Sequence, residues 1–590
     1  MPGMGGSLKL RNPLIVEHFS SALTHQILLV LAVALLAAGL AVVLAQRRPL
    51  PPVIDEPVAR RILRLGFGGL WIIAGILQLQ PSMPIGLPSA VVLPTVATAP
   101  GALNHLVSLA SNAWLRHPVL GASAVVWLEL GLGVWLLVAR DGWWSRAAGW
   151  ASAAWGAVVW VIGNGLGGMF VGPLSWMFGA PGASLFYVLA GVALGVPPLW
   201  LSRRSIVRWT SRGIGVGLVL LAALQAWPGR GFWGEGPASV RPLSSMAQDM
   251  GALGQPGITA SLQHWVAQAT LDGSWIFNAV VVVALALSGV GFLMASRRWI
   301  LMSLWLYGSL ALADWVMIQD FGVFGGISTD INSMVPSVIF LLAAGLALLD
   351  HRGDTPAAIP GMDSGGPRRP RSFGAMARIG GSAASAGVVL VGALVISSIG
   401  ILPGATSEAA VATGGTVADL GGAPAPDFQL IDQRGEPISL ATLRGHTVVL
   451  SFIDAVCTSE CPIEAQEMRA AARELGWPSD VLFLAISANG RFDSRQATVT
   501  FTRQEGFDDW AQWRFATGSP TMLRQTWQRY GVNVAAVGAG AMVAHGEAVF
   551  IIDATGKLRA TWNLAPGPDE GSVTGQSTTA LIVEQIRALR

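Results

Sequence analysis

The sequence predicts two fold classes in one chain: a multi-span α-helical membrane region of about ten helices, then a C-terminal α/β domain. Three observations predict this. Of 590 residues, 52% are hydrophobic and only 12% charged, whereas soluble domains carry about a quarter charged residues. Ten apolar stretches before residue 402 approach the ~20 residues that cross a bilayer. Beyond residue 426, long apolar runs give way to short strand-like ones separated by polar, helix-length segments.

The ten stretches are residues 26–46, 62–79, 119–139, 147–168, 182–201, 213–227, 275–295, 299–319, 335–350 and 380–401. The first is long and lacks a small-residue cleavage site, so no removable signal peptide is expected. Arginine sets the orientation. The loops after the first, third, fifth, seventh and ninth stretches hold 18 arginines, from Arg47 to Arg378; the opposite loops hold Arg116, Arg230 and Arg241. Positive loops stay inside, so both termini are expected outside the plasma membrane. Lys9 and Arg11 in the N-terminal tail run mildly against this. Lys9 and Lys557 are the only lysines. With abundant Ala and Gly, the composition is that of a high-GC bacterial gene.

Charge divides the chain. Residues 423–590 carry 18 acidic and 14 basic side chains, a net of −4, leaving 16 acidic and 23 basic elsewhere, a net of +7. That basic excess lies in short inter-span loops. It marks membrane topology and excludes nucleic acid as the expected partner.

An internal repeat runs through the spans at about 155 residues. Leu77-Gln78-Leu79-Gln80-Pro81 matches Leu224-Gln225-Ala226-Trp227-Pro228, and Pro100-Gly101 matches Pro256-Gly257. Trp160-Val161 matches Trp315-Val316, and Pro181 matches Pro336. Each unit holds four spans, an even number, so the two run in the same direction. Four-helix units of this kind are similar to DoxX-like membrane proteins, a resemblance that assigns no chemistry. Glu129 and Asp314 fall inside spans, where an ionisable group is costly and either functional or hydrogen-bonded in the packing. Met83, Met169, Met177, Met246, Met250 and Met334, with His105 and His264, are expected near the outer face. Such donors suit Cu(I), although methionine is also an ordinary packing residue. No span carries the paired histidines a b-type haem needs.

Residues 403–425, rich in Gly, Ala, Thr and Ser, read as a flexible tether. The pattern beyond it predicts a strand at 447–453, a cysteine loop, a helix at 463–475, a strand at 481–486, helices at 494–504 and 522–530, a strand at 548–553 with a return at 558–562, and a final helix at 578–589. This is the thioredoxin order. The expected organisation is a tail with the first span (1–61), membrane units 62–212 and 213–350, a cytoplasmic loop with the last span (351–402), the linker 403–425 and a thioredoxin-like domain, 426–590.

The chemistry lies in the spacing of the chain's two cysteines. Cys457 and Cys461 are four apart at a strand-to-helix turn, where unpaired N–H groups favour thiolate and lower its pKa. Pro462 suits the first helical turn. Two residues between the cysteines would be the spacing of a disulfide reductase; three leave room to clamp one soft ion. His545, just before a core strand, is positioned to add a nitrogen ligand. Two thiolates and an imidazole make a good site for Cu(I) or Cu(II). A structural or redox-active disulfide between the cysteines is the alternative. Peroxiredoxin chemistry is disfavoured, because Asp454 stands where it wants Thr or Ser.

Residues 423–590 resemble the Sco/SenC family of copper chaperones. The match is carried by CxxxCP at Cys457–Pro462, the distal His545, the apolar strand and the Asp553-x-x-Gly556-Lys557 turn. The resemblance implies copper as the bound metal, Cys457, Cys461 and His545 as its ligands, and the cytochrome c oxidase subunit with the binuclear copper centre as partner. Members deliver copper to that centre or reduce its cysteines. The chain departs at Ala544, where the family usually has Asp, which puts the tuning of His545 in doubt. Three functions are therefore expected to compete: copper chaperone, metal-free extracytoplasmic thiol-disulfide oxidoreductase, and transporter with a copper-handling outer domain.

Overall fold

The computed structural model describes residues 13–46, 56–96, 99–170, 174–197, 204–228, 230–233, 242–252, 256–324, 327–350, 373–399, 417–457, 460–490, 492–532, 534–536, 543–563 and 577–590. Helices cover each of the ten apolar segments. They are α1 (Pro13–Gln46), α2 (Val58–Leu77), α4 (Pro118–Val138), α5 (Gly142–Val158), α6 (Ala183–Gly195), α7 (Arg204–Gln225), α9 (Gly257–Met294), α10 (Arg297–Met317), α11 (Met334–Asp350) and α12 (Phe373–Ile399). Amphipathic α3 (Gly101–Arg116) and α8 (Pro242–Ala252) lie between them. Among the described residues, six helices are long and apolar enough to cross a membrane, those in α1, α4, α7, α9, α10 and α12. Ala183–Gly195 and Met334–Asp350 are apolar but shorter. Pro197-Pro198 accounts for the first, since proline stops a helix before it.

Small residues let these helices approach. A Cβ on Gly133 of α4 would stand 2.8 Å from the Gly68 carbonyl oxygen of α2, and one on Gly289 of α9 2.8 Å from that of Gly215 in α7. Close backbone packing at glycine is the usual device where lipid removes the hydrophobic drive between helices. Pro100 and Pro256 open α3 and α9 with nearly the same backbone, φ −53, ψ 144 and φ −55, ψ 142.

The C-terminal domain is a six-stranded sheet in the order β1-β10-β9-β4-β5-β6. These strands are β1 (Ala418–Asp419), β4 (Thr447–Ile453), β5 (Val481–Ser487), β6 (Trp513–Ala516), β9 (Ala548–Ile552) and β10 (Leu558–Asn563). Two small hairpins complete the strands: β2 (Gln429–Ile431) with β3 (Pro437–Ser439), and β7 (Val534–Ala536) with β8 (Val543–His545). β4 is parallel to β5 and antiparallel to β9. Both central strands read as continuous apolar runs because both sheet faces are covered. Helices α13 (Glu460–Glu474), α14 (Arg495–Gln504) and α16 (Thr578–Ala588) share one buried cluster with the sheet; α15 (Pro520–Tyr530) and the β2–β3 hairpin share the other.

The expected tether is corrected at its end. β1 pairs Ala418 with Thr561, and Pro424 bridges Lys557, so the sheet claims residues counted as linker. Residues 403–416 lie outside the described residues. The domain also rests on the helical region. Ile15 and Phe19 of α1 and Met83 and Ile85 share a buried cluster with Phe428, Leu523 and Trp527, and His117 Nδ1 lies 3.4 Å from Asp419 Oδ2.

Gly133→Val places a branched side chain against the α2 backbone and should destabilise the helical region by ~1–3 kcal/mol. Gly69→Ala, at a site with nothing within 4 Å, should not. Melting of both proteins in detergent tests this; an unshifted Gly133→Val would show that the crossing is not tightly packed.

Candidate metal centre

Strand pairing brings the three sequence-distant side chains to one end of the sheet. The β4–β9 register pairs Val448 with Ile552, Val449 with Ile551 and Leu450 with Phe550. Carried along both strands, it sets the residues after Ile453 level with those before Ala548. The cysteine loop therefore leaves β4 where the β8–β9 connection, with His545, enters. Loops at the carboxyl ends of parallel strands are where α/β sheets place their sites.

Cys461 sits in the first turn of α13 and is buried; Cys457 is partly exposed, and no disulfide joins them. Thr458 and Ser459 lie outside the described residues. Cys461 Sγ lies 3.3 Å from His545 Nε2 and accepts from the Asp454 backbone N–H at 3.4 Å. The other ring nitrogen, Nδ1, faces the Gly546 carbonyl at 3.4 Å. Burial lowers the His545 pKa, with the Gly546 carbonyl and nearby anions opposing, which favours the neutral, ligating imidazole. The expected low thiol pKa is corrected for Cys461. Its hydrogen bond with Cys457, then burial, then the charges of Cys457 and Glu464 push it well above the ordinary thiol range. These terms exceed the pull of the helix N-terminus. Cys461 thus meets His545 directly and Cys457 through its hydrogen bond. Among the described residues, no three His, Cys, Asp or Glu side chains stand as a preassembled metal-holding group. The donor set still fits a soft ion, two sulfurs and one nitrogen.

A polar layer lies beneath, and sequence reasoning passed over most of it. Asp454, fully buried, accepts from the Val456 N–H at 3.1 Å and the Asn489 amide at 3.0 Å. It thereby pins the loop that carries Cys457. Glu464 is fully buried on the same helical face as Cys461, Ala465 and Met468. Ser451 donates to its Oε1, while Oε2 has no hydrogen-bond partner. Burial pushes the Glu464 pKa up to about 8, Ser451 opposing and the charges of Glu547 and Cys457 adding. Glu547 rises to about 7, through burial and then Glu460 and Cys457. The available signal for Glu464 was an acid at i+3 from Cys461, on the apolar stripe of a helix.

The methionine and histidine set does not gather into one site. Met83 packs in the cluster beneath the C-terminal domain, whereas Met177 and Met334 are buried in another, among α7, α9, α10 and α11. Glu129 Oε1 accepts from the Trp155 indole at 3.3 Å, and Asp314 Oδ2 from the Gln319 amide at 3.0 Å.

Residues 419–573 match the family model described as SCO1/SenC, so the C-terminal domain is a Sco-type domain. Solved structures similar to the chain include "Crystal structure of Arabidopsis thaliana ScoI with copper bound", 20% identical, spanning 28% of this chain and 99% of that one, TM-score 0.24. A SCO1/SenC family lipoprotein from Bacillus anthracis is 21% identical over 29% of this chain and 96% of its own, TM-score 0.25. Yeast Sco1 with copper bound is 16% identical over 28% and 90%, TM-score 0.24. No curated protein matches the chain.

The raised pKa of Glu464 carries a pH signature. A carboxyl kept neutral by folding contributes stability that is whole below about pH 4.5 and is lost as pH rises toward about 8. At ~1.36 kcal/mol per pKa unit, the loss is roughly 2–4 kcal/mol. Glu464→Gln removes the ionisation and should flatten the pH dependence of melting between pH 5 and 8. Parallel wild-type and variant profiles would show that the carboxyl is already ionised in the folded protein.

Proposed function

We propose that the chain is a membrane-anchored, copper-binding Sco-type protein that serves assembly of the cytochrome c oxidase copper centre, with Cys457, Cys461 and His545 as copper ligands. The observation that carries this is the contact of Cys461 Sγ with His545 Nε2, residues 84 apart in sequence, inside a domain that matches SCO1/SenC. With Nδ1 donating to the Gly546 carbonyl, Nε2 turns its lone pair toward the sulfurs. That carbonyl takes the orienting role of the acid absent at Ala544. Copper is cargo here: capture displaces the protons held on the two thiols, so binding strengthens as pH rises. The family's members delimit the partner, the oxidase subunit with the binuclear copper centre.

A second reading rests on the hydrogen bond between the two thiols. A pair this close can pass two electrons and two protons to a partner's disulfide, leaving a Cys457–Cys461 disulfide and a reduced partner. Delivery and reduction need the same two sulfurs; only delivery needs His545.

The helical region is read as two four-helix membrane units, 62–212 and 213–350, in the same orientation. The paired glycine crossings at Gly68/Gly133 and Gly215/Gly289, and the matched starts at Gly101 and Gly257, support a duplication. The arginine-rich loops support an extracytoplasmic site for the C-terminal domain, at a bacterial plasma membrane.

Purified chain reduced under anaerobic conditions should bind one copper per molecule. Cys457→Ser or Cys461→Ser should abolish tight binding, and His545→Ala should weaken Cu(II) more than Cu(I). Unchanged stoichiometry in either cysteine variant overturns the site. Sidedness has its own test: a tag after Arg590 should react with membrane-impermeant reagents in intact cells, and protection there would reverse the orientation.

A further inference from the structure

The first helical unit holds a cavity of about 390 Å³, walled by α2, α3, α4, α5, α6 and the end of α12. Its size suits one small organic molecule. Most of its lining is hydrocarbon or aromatic. Three of its rings are fixed by their indole N–H groups: Trp71 to Ser152 Oγ at 2.9 Å, Trp114 to the Pro84 carbonyl at 3.0 Å, and Trp155 to Glu129. Against these walls stand three buried polar atoms with no hydrogen-bond partner: Gln78 Oε1, Ser111 Oγ and Glu129 Oε2. Each such atom costs roughly 1–3 kcal/mol when left unsatisfied, so three around one cavity point to a ligand with matching groups. The second unit does not share this feature. Gln225, the counterpart of Gln78, is closed off, its Oε1 accepting from the Trp176 N–H at 3.1 Å and its Nε2 donating to Asn278 at 2.9 Å.

The lining selects the ligand. It contains two acids, Glu129 and Asp330, and no Lys, Arg or His. A phosphate or carboxylate headgroup would find no cation there. Flat aromatic walls favour a ring. A carboxyl, an amide oxygen and a hydroxyl around the ring can pair with hydroxyl or carbonyl oxygens. Leu106 and Leu109, each 45% exposed, stand at the rim and offer an apolar entrance. Given the membrane reading of this region, we infer that the cavity binds a neutral, ring-headed lipophile bearing hydroxyl or carbonyl oxygens, a lipid-soluble quinone or its quinol.

The test uses the full chain in nanodiscs of fixed lipid content, with decylubiquinone as probe and tryptophan fluorescence as readout. A saturable quenching phase is expected. Glu129→Leu, which removes a head contact, and Ala110→Phe, which fills the cavity from its wall, should each weaken it at least tenfold. Gln225→Leu, in the other unit, should leave it unchanged. If Glu129→Leu does not fold, Ala110→Phe decides. The inference is overturned if no saturable phase exists, if Ala110→Phe binds as tightly as wild type, or if decanol displaces the probe as effectively as unlabelled quinone does. Copper stoichiometry, read on the same samples, fails or holds independently.

Discussion

The candidate centre depends on one constraint, the antiparallel ladder between β4 and β9. Hydrogen-bonded strands fix register because a slip of one residue would turn every side chain to the opposite face. Here both faces are buried, against α13, α14 and α16 on one side and α15 on the other, so a slip is doubly penalised. With Val448 held opposite Ile552, the end of β4 and the start of β9 have no freedom to part. The 84 residues between Cys461 and His545 close into a contact of 3.3 Å as a consequence. Neither loop needs to be rigid alone, since each hangs from a strand that is.

The polar layer beneath the sulfurs extends this constraint. A buried carboxyl is tolerated only when bonded or neutral. Asp454 takes the first course, with the Val456 backbone and Asn489 as donors. Glu464 takes the second, its pKa raised to about 8 and one oxygen left without a partner. A neutral acid beside two thiols changes the electrostatics of metal capture. Two thiolates close together repel one another, and a carboxylate beside them would repel both. Holding protons on Cys461 and Glu464 removes that repulsion until a cation arrives to replace it. The helix N-terminus then acts on the sulfurs in the metal-bound state, where negative charge is present for it to stabilise.

How much of this was legible in the sequence follows from range. The CxxxCP loop, the buried strands and the helix caps are local, and they lie close to where periodicity places them; Ser494 and Ser519 cap α14 and α15 through their own hydroxyls. His545 as a ligand was legible by resemblance to Sco proteins, because a single histidine has no period. β1, β6 and the β7–β8 hairpin went unread. They are two to four residues long, and their pairing partners lie far along the chain or across masked turns, so no window of local sequence carries them. The thiol pKa was misjudged for a related reason. The helix N-terminus is visible in sequence, but the hydrogen bond between the sulfurs and the depth of Cys461 are tertiary facts.

The contact between the C-terminal domain and the helical region balances holding and release. The His117–Asp419 contact is half open to solvent on its acidic side, at 47% exposure. Exposed pairs of this kind contribute ~0–1 kcal/mol, so it orients more than it binds. Ile15 and Phe19, each 2% exposed, bury apolar surface worth roughly 1.5–3 kcal/mol apiece. The resting arrangement is therefore held mainly by a small apolar patch, and such a patch can separate and re-form without breaking a buried charge pair. Because β1 is stitched to β10 directly after residue 417, any departure of the domain must hinge before Ala418. The sheet, the cysteine loop and His545 would then move as one body, with the β4–β9 register and the site geometry it sets intact.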